Sequence, residues 1–187
     1  FLPFLPMLPV QLLVQNILND FSQVGIPFDN VDDDYIEKPR EWNTKSILRF
    51  TALFGPLSAV FDFLTFFVMW FIIGKTLGAT VDNGQLEPLF QAGWFIFGTL
   101  SQITIVHIIR TRKIPFLQSN ASKPLVISSI VFGVPAILIA FTPIANLLNM
   151  TQLPLGYAPW LALIILLYVL STQLLKSVFI RRYNEWL

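Results

Sequence analysis

The sequence predicts an all-α fold: a polytopic membrane helix bundle of about five spanning helices, preceded by the end of another. Three observations carry that expectation. The 187 residues are 55% hydrophobic and only 12% charged, with a mean hydropathy of +0.66, whereas soluble domains carry about 25% charged residues. Five segments are each long or apolar enough to cross a bilayer, which takes about 20 residues. Finally, all but Lys75 of the twelve Lys and Arg fall in regions that those five crossings would bring to one side. No polar stretch is long enough for a separate soluble domain. The absence of cysteine excludes disulfides, thiolate metal sites and thiol nucleophiles.

The segments follow in order. The first runs from about Met7 to Val24 and is the least hydrophobic. Pro3, Pro6 and Pro9 recur before it, and each would remove a backbone hydrogen bond from a continuous helix. They read as a turn between two spans or as an unwound stretch. The second span runs from about Ile47 to Ile73, with Gly55-Pro56 marking close packing or a kink. The third runs from about Leu89 to Ile109, the fourth from about Leu125 to Ala145, and the fifth from about Pro159 to Phe179. Trp70, Trp94 and Trp160 fall near span ends, as interfacial aromatics do. The start, Phe1-Leu2-Pro3, has neither a Met nor a basic leader and reads as the interior of a longer chain. The basic regions are about 25–49, 110–124 and the tail with Lys176, Arg181 and Arg182. The positive-inside rule makes that side, and the C-terminus, cytoplasmic.

Polar residues inside spans carry the functional signal. Gln11, Gln15, Asn16, Asn19, Asp20 and Gln23 occupy one half of the first helix, with Leu12, Leu13, Ile17, Leu18 and Phe21 on the other. A carboxylate at bilayer depth costs roughly 2.5–3.5 kcal/mol on the milder insertion scale. Such a face must point into a protein bundle or an aqueous cavity. Amides alone would fit inter-helix bonding; a carboxylate with two flanking amides points to cation coordination by Asn16, Asn19 and Asp20. Hard oxygen ligands suit Mg²⁺, Ca²⁺, Mn²⁺ or alkali ions rather than copper or zinc. Asp62, in the second span, reads as a structural acid bonded to a neighbouring helix or as a second ion-pathway residue. Ser58 and Thr65 lie within reach of it on the same helix. Gln102 of the third span reads as an inter-helix bond former or as a further oxygen ligand. His107, the single histidine, falls at a span end and reads as interfacial. Asp29, Asp32, Asp33, Asp34 and Glu37 make an acidic loop, either solvated or a cation-attracting or docking surface. Nothing in the chain offers a Walker loop, a Ser-His-Asp set or a zinc motif.

Several of these stretches together resemble the C-terminal membrane part of P-type ATPases, above all the bacterial magnesium-transporting ones. They are Phe4-Leu5-Pro6-Met7-Leu8-Pro9, Gln15-Asn16-Ile17-Leu18-Asn19-Asp20, Ile26-Pro27-Phe28-Asp29-Asn30-Val31-Asp32, Lys38-Pro39-Arg40-Glu41-Trp42-Asn43, Gly55–Thr65, and Ser101-Gln102 with His107–Arg112. The resemblance covers nearly the whole chain. It implies that residues 1–187 are one transmembrane domain fragment holding the end of helix five and helices six to ten. The loops about 25–46 and 110–124 would then be cytoplasmic. In that family helix six contributes an Asn followed four residues later by Asp, matched by Asn16 and Asp20. Calcium pumps usually have Thr in place of Asn19 and an acid in helix eight, where this chain has Gln102 or Ser101. That difference implies a single hydrated divalent ion.

The implied function is ATP-driven Mg²⁺ import across the cell membrane. Asn16, Asn19 and Asp20 would be metal ligands, with Asp62 and Gln102 as further candidates. The phosphorylation, nucleotide-binding and actuator domains are not in this sequence, so the chain alone should be inactive and ATP would bind elsewhere. The expected partners are the lipid bilayer and the remainder of the pump, with no nucleic acid. The alternatives are a calcium or proton P-type ATPase membrane domain, and a non-catalytic five-span scaffold or accessory subunit.

Overall fold

The computed structural model describes residues 2–30 and 44–183. The described residues are helical, without a strand. The helices are α1 (Pro9–Ser22), α2 (Thr44–Leu77), α3 (Leu86–Ile109), α4 (Lys123–Phe141) and α5 (Ala158–Tyr183). The last four are long and apolar enough to cross a membrane. α1 is shorter than the sequence suggests. At 1.5 Å per residue its 14 residues reach about 21 Å, against a hydrocarbon core of about 30 Å. Its bounds have a local cause. Pro9 occupies the first turn, where a missing N–H costs nothing, and the prolines before it keep residues 3–8 out of a helix. At the other end the chain passes through Gly25 into a 3₁₀ turn, Ile26–Phe28.

α2 extends beyond its expected bounds, and its turns widen to a π-helix over Val68–Gly74, a local insertion that often marks functional sites. Pro56 lies inside it, while Gly55 is exposed with open space where a side chain would stand. Close packing at Gly55 is therefore absent among the described residues. α4 stops at Thr142, where Pro143 opens a 3₁₀ segment to Leu148.

α3 is the hub. It packs against α1, α2, α4 and α5, and 61% of its most apolar window is buried, against 22–33% for the other three spans. Phe90, Ala92, Phe95 and Ile96 are wholly enclosed. Its polar side chains Gln91, Thr99 and Ser101 are buried there as well, and polar groups inside a membrane face protein rather than lipid.

Small residues let α1 approach its neighbours. A methyl group at Gly25 would stand 2.4 Å from the Leu125 Cα, so the chain leaving α1 lies directly on the α4 backbone. The Ser128 hydroxyl donates to the Ser22 carbonyl at 2.7 Å and closes the same contact. Gly25→Ala is expected to force the two segments apart at a cost of about 1–3 kcal/mol. Thermal denaturation of the full-length protein measures it, and an unchanged melting temperature would contradict the contact.

Candidate functional site

The polar half of α1 is divided in two by the bundle. Gln11, Gln15, Asn19 and Ser22 are buried, whereas Asn16 and Asp20 are exposed. The buried set does structural work. The Gln11 amide donates to Gln91 Oε1 and to the Leu148 carbonyl, both at 2.9 Å, and its oxygen accepts from the Leu8 N–H at 2.8 Å. Gln91 continues the network to the Leu5 carbonyl at 2.9 Å and to Glu87 at 3.1 Å. Gln15 presses against Gly98, where a side chain would stand 2.5 Å from its amide nitrogen. These bonds satisfy amides that would otherwise be costly in a membrane interior.

Asn19 forms the join between the two sets. Its Nδ2 donates to Gln102 Oε1, and the Ser22 hydroxyl donates to its backbone carbonyl at 2.7 Å. Asn19 is only 3% exposed, yet its Oδ1 has no hydrogen-bond partner among the described residues. A buried acceptor without a donor is unusual and points to a group that the protein alone does not supply.

Beside it lies a groove of about 530 Å³, lined by Asn16, Ser58, Asp62, Trp94, Ser101 and Gln102 among others. Three of the five candidate residues, Asn16, Asp62 and Gln102, thus share one concavity. Asn19 reaches it through its bond to Gln102. Asp20 is not among the lining residues; it sits one turn along α1 from Asn16, on the same exposed flank. Among the described residues no group of three or more His, Cys, Asp or Glu could hold a metal, so any cation here would take mostly amide oxygens.

Asp62 bonds to a neighbouring helix and not to Ser58 or Thr65 of its own. Trp94 of α3 donates its indole N–H to Asp62 Oδ1 at 2.9 Å. Ser58 instead meets the Tyr168 hydroxyl at 3.3 Å, and Thr65 donates to the Phe61 carbonyl of its own helix. Trp94 is accordingly an inter-helix donor well inside α3 rather than a residue at the span end. His107 is buried, with its Nε2 2.9 Å from Ser129 Oγ, and joins α3 to α4.

Two charged features escaped sequence reasoning. Asp29, from the acidic run, accepts from the Arg110 guanidinium at 2.7 Å and from the Ser122 N–H at 2.8 Å. Arg110 also donates to Ser119 at 3.1 Å. The pair is nearly enclosed, with side chains 7% and 12% exposed. It ties the segment after α1 to the end of α3 and the start of α4. Asp32, Asp33, Asp34 and Glu37 lie outside the described residues. Lys176, taken from sequence as a tail residue, is wholly buried in α5.

Residues 4–178 match the family described as cation transporting ATPase, C-terminus. The magnesium-transporting ATPase, P-type 1, of Escherichia coli K12 is 50% identical over 184 residues, 98% of this chain and 20% of that protein. The protein of that name from Salmonella typhimurium strain 14028s is 49% identical over 184 residues, again 98% of this chain and 20% of its own length. Another of that name from Salmonella typhimurium LT2 is 41% identical over 186 residues, all of this chain and 20% of its own length. The chain therefore spans about a fifth of the relatives it matches.

Proposed function

Because the chain belongs to the C-terminal family of cation-transporting ATPases, we propose that it is the C-terminal membrane part of an ATP-driven Mg²⁺ import pump. One observation carries the reading: the divided polar half of α1 leaves Asn16 and Asp20 exposed beside exposed Leu12, Leu13, Ile17 and Phe21. A carboxylate in that setting belongs against protein or water, not lipid. About four-fifths of each relative's length lies outside the match, and the covering helices belong there. So do the ATP-binding and phosphorylated domains, without which this chain alone does not hydrolyse ATP.

In this reading Asp20 supplies the charge and Asn16 and Asn19 supply amide oxygens. Gln102 takes up the Asn19 amide nitrogen, which leaves the buried Oδ1 for the cation in this reading. Such a donor set suits a hard ion, and Mg²⁺ keeps several waters while needing only one or two carboxylates. Asp62, held by Trp94, shapes the groove wall and is the second carboxylate within reach of an ion passing along it. The basic end of the bundle faces the cytoplasm of a cell membrane. The loops about 25–46 and 110–124 and the C-terminus then lie on the side where ATP binds.

The test is transport by the full-length pump in vesicles, with its ATP-binding side outward. ATP added outside should drive Mg²⁺ out of the lumen, and Ca²⁺ should not substitute. No ATP-dependent Mg²⁺ movement, or equal movement of Ca²⁺, overturns the reading.

A further inference from the structure

Lys176 occupies the buried stripe of α5, in line with Leu161, Ile164, Tyr168, Thr172 and Phe179. Its ammonium donates to the carbonyls of Lys113 at 2.8 Å, Ile108 at 3.0 Å and Thr111 at 3.3 Å. An ammonium has three donors, and three carbonyls of one short turn of backbone accept from it. That turn ends α3, whose last carbonyls have no partners within the helix and carry its negative dipole end. Lys176 therefore supplies from another helix the capping charge that α3 needs. Burying a long charged side chain to 0% exposure is costly unless it is fully bonded, so this arrangement has a function beyond filling space.

The same turn contains Arg110. Its backbone N–H closes the end of α3 on the Val106 carbonyl, and its guanidinium holds Asp29. Asp29 directly follows the 3₁₀ turn that leaves α1. A continuous set of bonds thus runs from the Lys176 ammonium through the 108–113 backbone and Arg110 to Asp29, which follows the C-terminal end of α1.

We propose that Lys176 is a positioning residue for the ion helix. Its ammonium fixes the 108–113 turn, so that Arg110 and Asp29 hold α1 at the depth where Asn16, Asn19 and Asp20 meet the cation. This rests on the reading of α1 given above. Lys176 does not touch the ion; it sets the register of the residues that do.

The test uses the full-length pump. Lys176→Met is expected to raise the half-activating Mg²⁺ concentration roughly three- to tenfold, with maximal turnover changed less than that. Asp29→Asn should shift it in the same direction. Because both act through Arg110, the double variant should show no larger shift than the worse single one. Lys176→Arg keeps the charge, but its planar fork cannot serve three convergent carbonyls, so it should give an intermediate shift. A folded Lys176→Met pump with an unchanged half-activating concentration overturns the proposal, as do shifts that multiply in the double variant. If Lys176→Met does not accumulate, Lys176→Arg decides, and an unshifted value counts against the proposal. Full Mg²⁺ stimulation in Asp20→Ala would instead remove the underlying reading of α1, so the two failures are distinguishable.

Discussion

Asp20→Ala in the full-length pump is expected to abolish Mg²⁺-stimulated ATP hydrolysis and leave the protein folded. The two halves of that expectation have separate grounds. Asp20 supplies the only carboxylate on α1, and amide oxygens alone bind a divalent ion far more weakly than a set containing a charge. Its side chain is exposed on this part of the bundle, so its removal breaks no packing among the described residues, and a carboxylate at bilayer depth is itself a cost of roughly 2.5–3.5 kcal/mol that the variant no longer bears. Ion-stimulated activity and thermal denaturation should therefore separate. Asn19→Ala offers a contrast, since it also deletes the bond to Gln102. Wild-type-like Mg²⁺ stimulation in Asp20→Ala would take Asp20 out of the ion path.

Arg110→Ala should be the most damaging substitution outside the proposed ion site. It strands the Asp29 carboxylate, 12% exposed, with the Ser122 N–H as its remaining donor among the described residues. Removing one partner of a buried ion pair costs about 3–5 kcal/mol, mostly because the other charge is left behind. The loss should appear as a lower temperature of thermal inactivation. Adding Asp29→Asn to the same variant should recover part of it by removing the stranded charge. A double variant no more stable than Arg110→Ala would mean that the pair's charge is not what holds the loop.

Much of the fold is legible in the hydropathy and the Lys and Arg distribution, because both report directly on the bilayer. The helix ends are less so. α1 ends at Ser22, and the chain after it lies against Leu125 at Gly25, a contact one hundred residues away in sequence. The candidate site is legible by type and only partly by place. Periodicity collects six polar residues on one half of α1, but it cannot tell which of them meet other helices. Only the packing of α3 and α4 separates buried Gln11, Gln15 and Asn19 from exposed Asn16 and Asp20. The reading of Gln102 as an inter-helix bond former agrees with its bond to Asn19. The bond from Trp94 to Asp62 was hidden because tryptophan in a membrane span usually signals an interface. Lys176 was hidden for a related reason. Its stripe has helical spacing, but α5 is apolar on every side up to Leu170, so no stripe stands out.

The central place of α3 also has a consequence in time. A ribosome completes this helix before α4 and α5 exist, since domains are made from the N-terminus onward. α3 is the least apolar of the four long helices. Two of its four neighbours are therefore missing when it first enters the bilayer. During that interval the future core of the protein has lipid as its solvent, and the Lys176 ammonium that will cap it has yet to be synthesised.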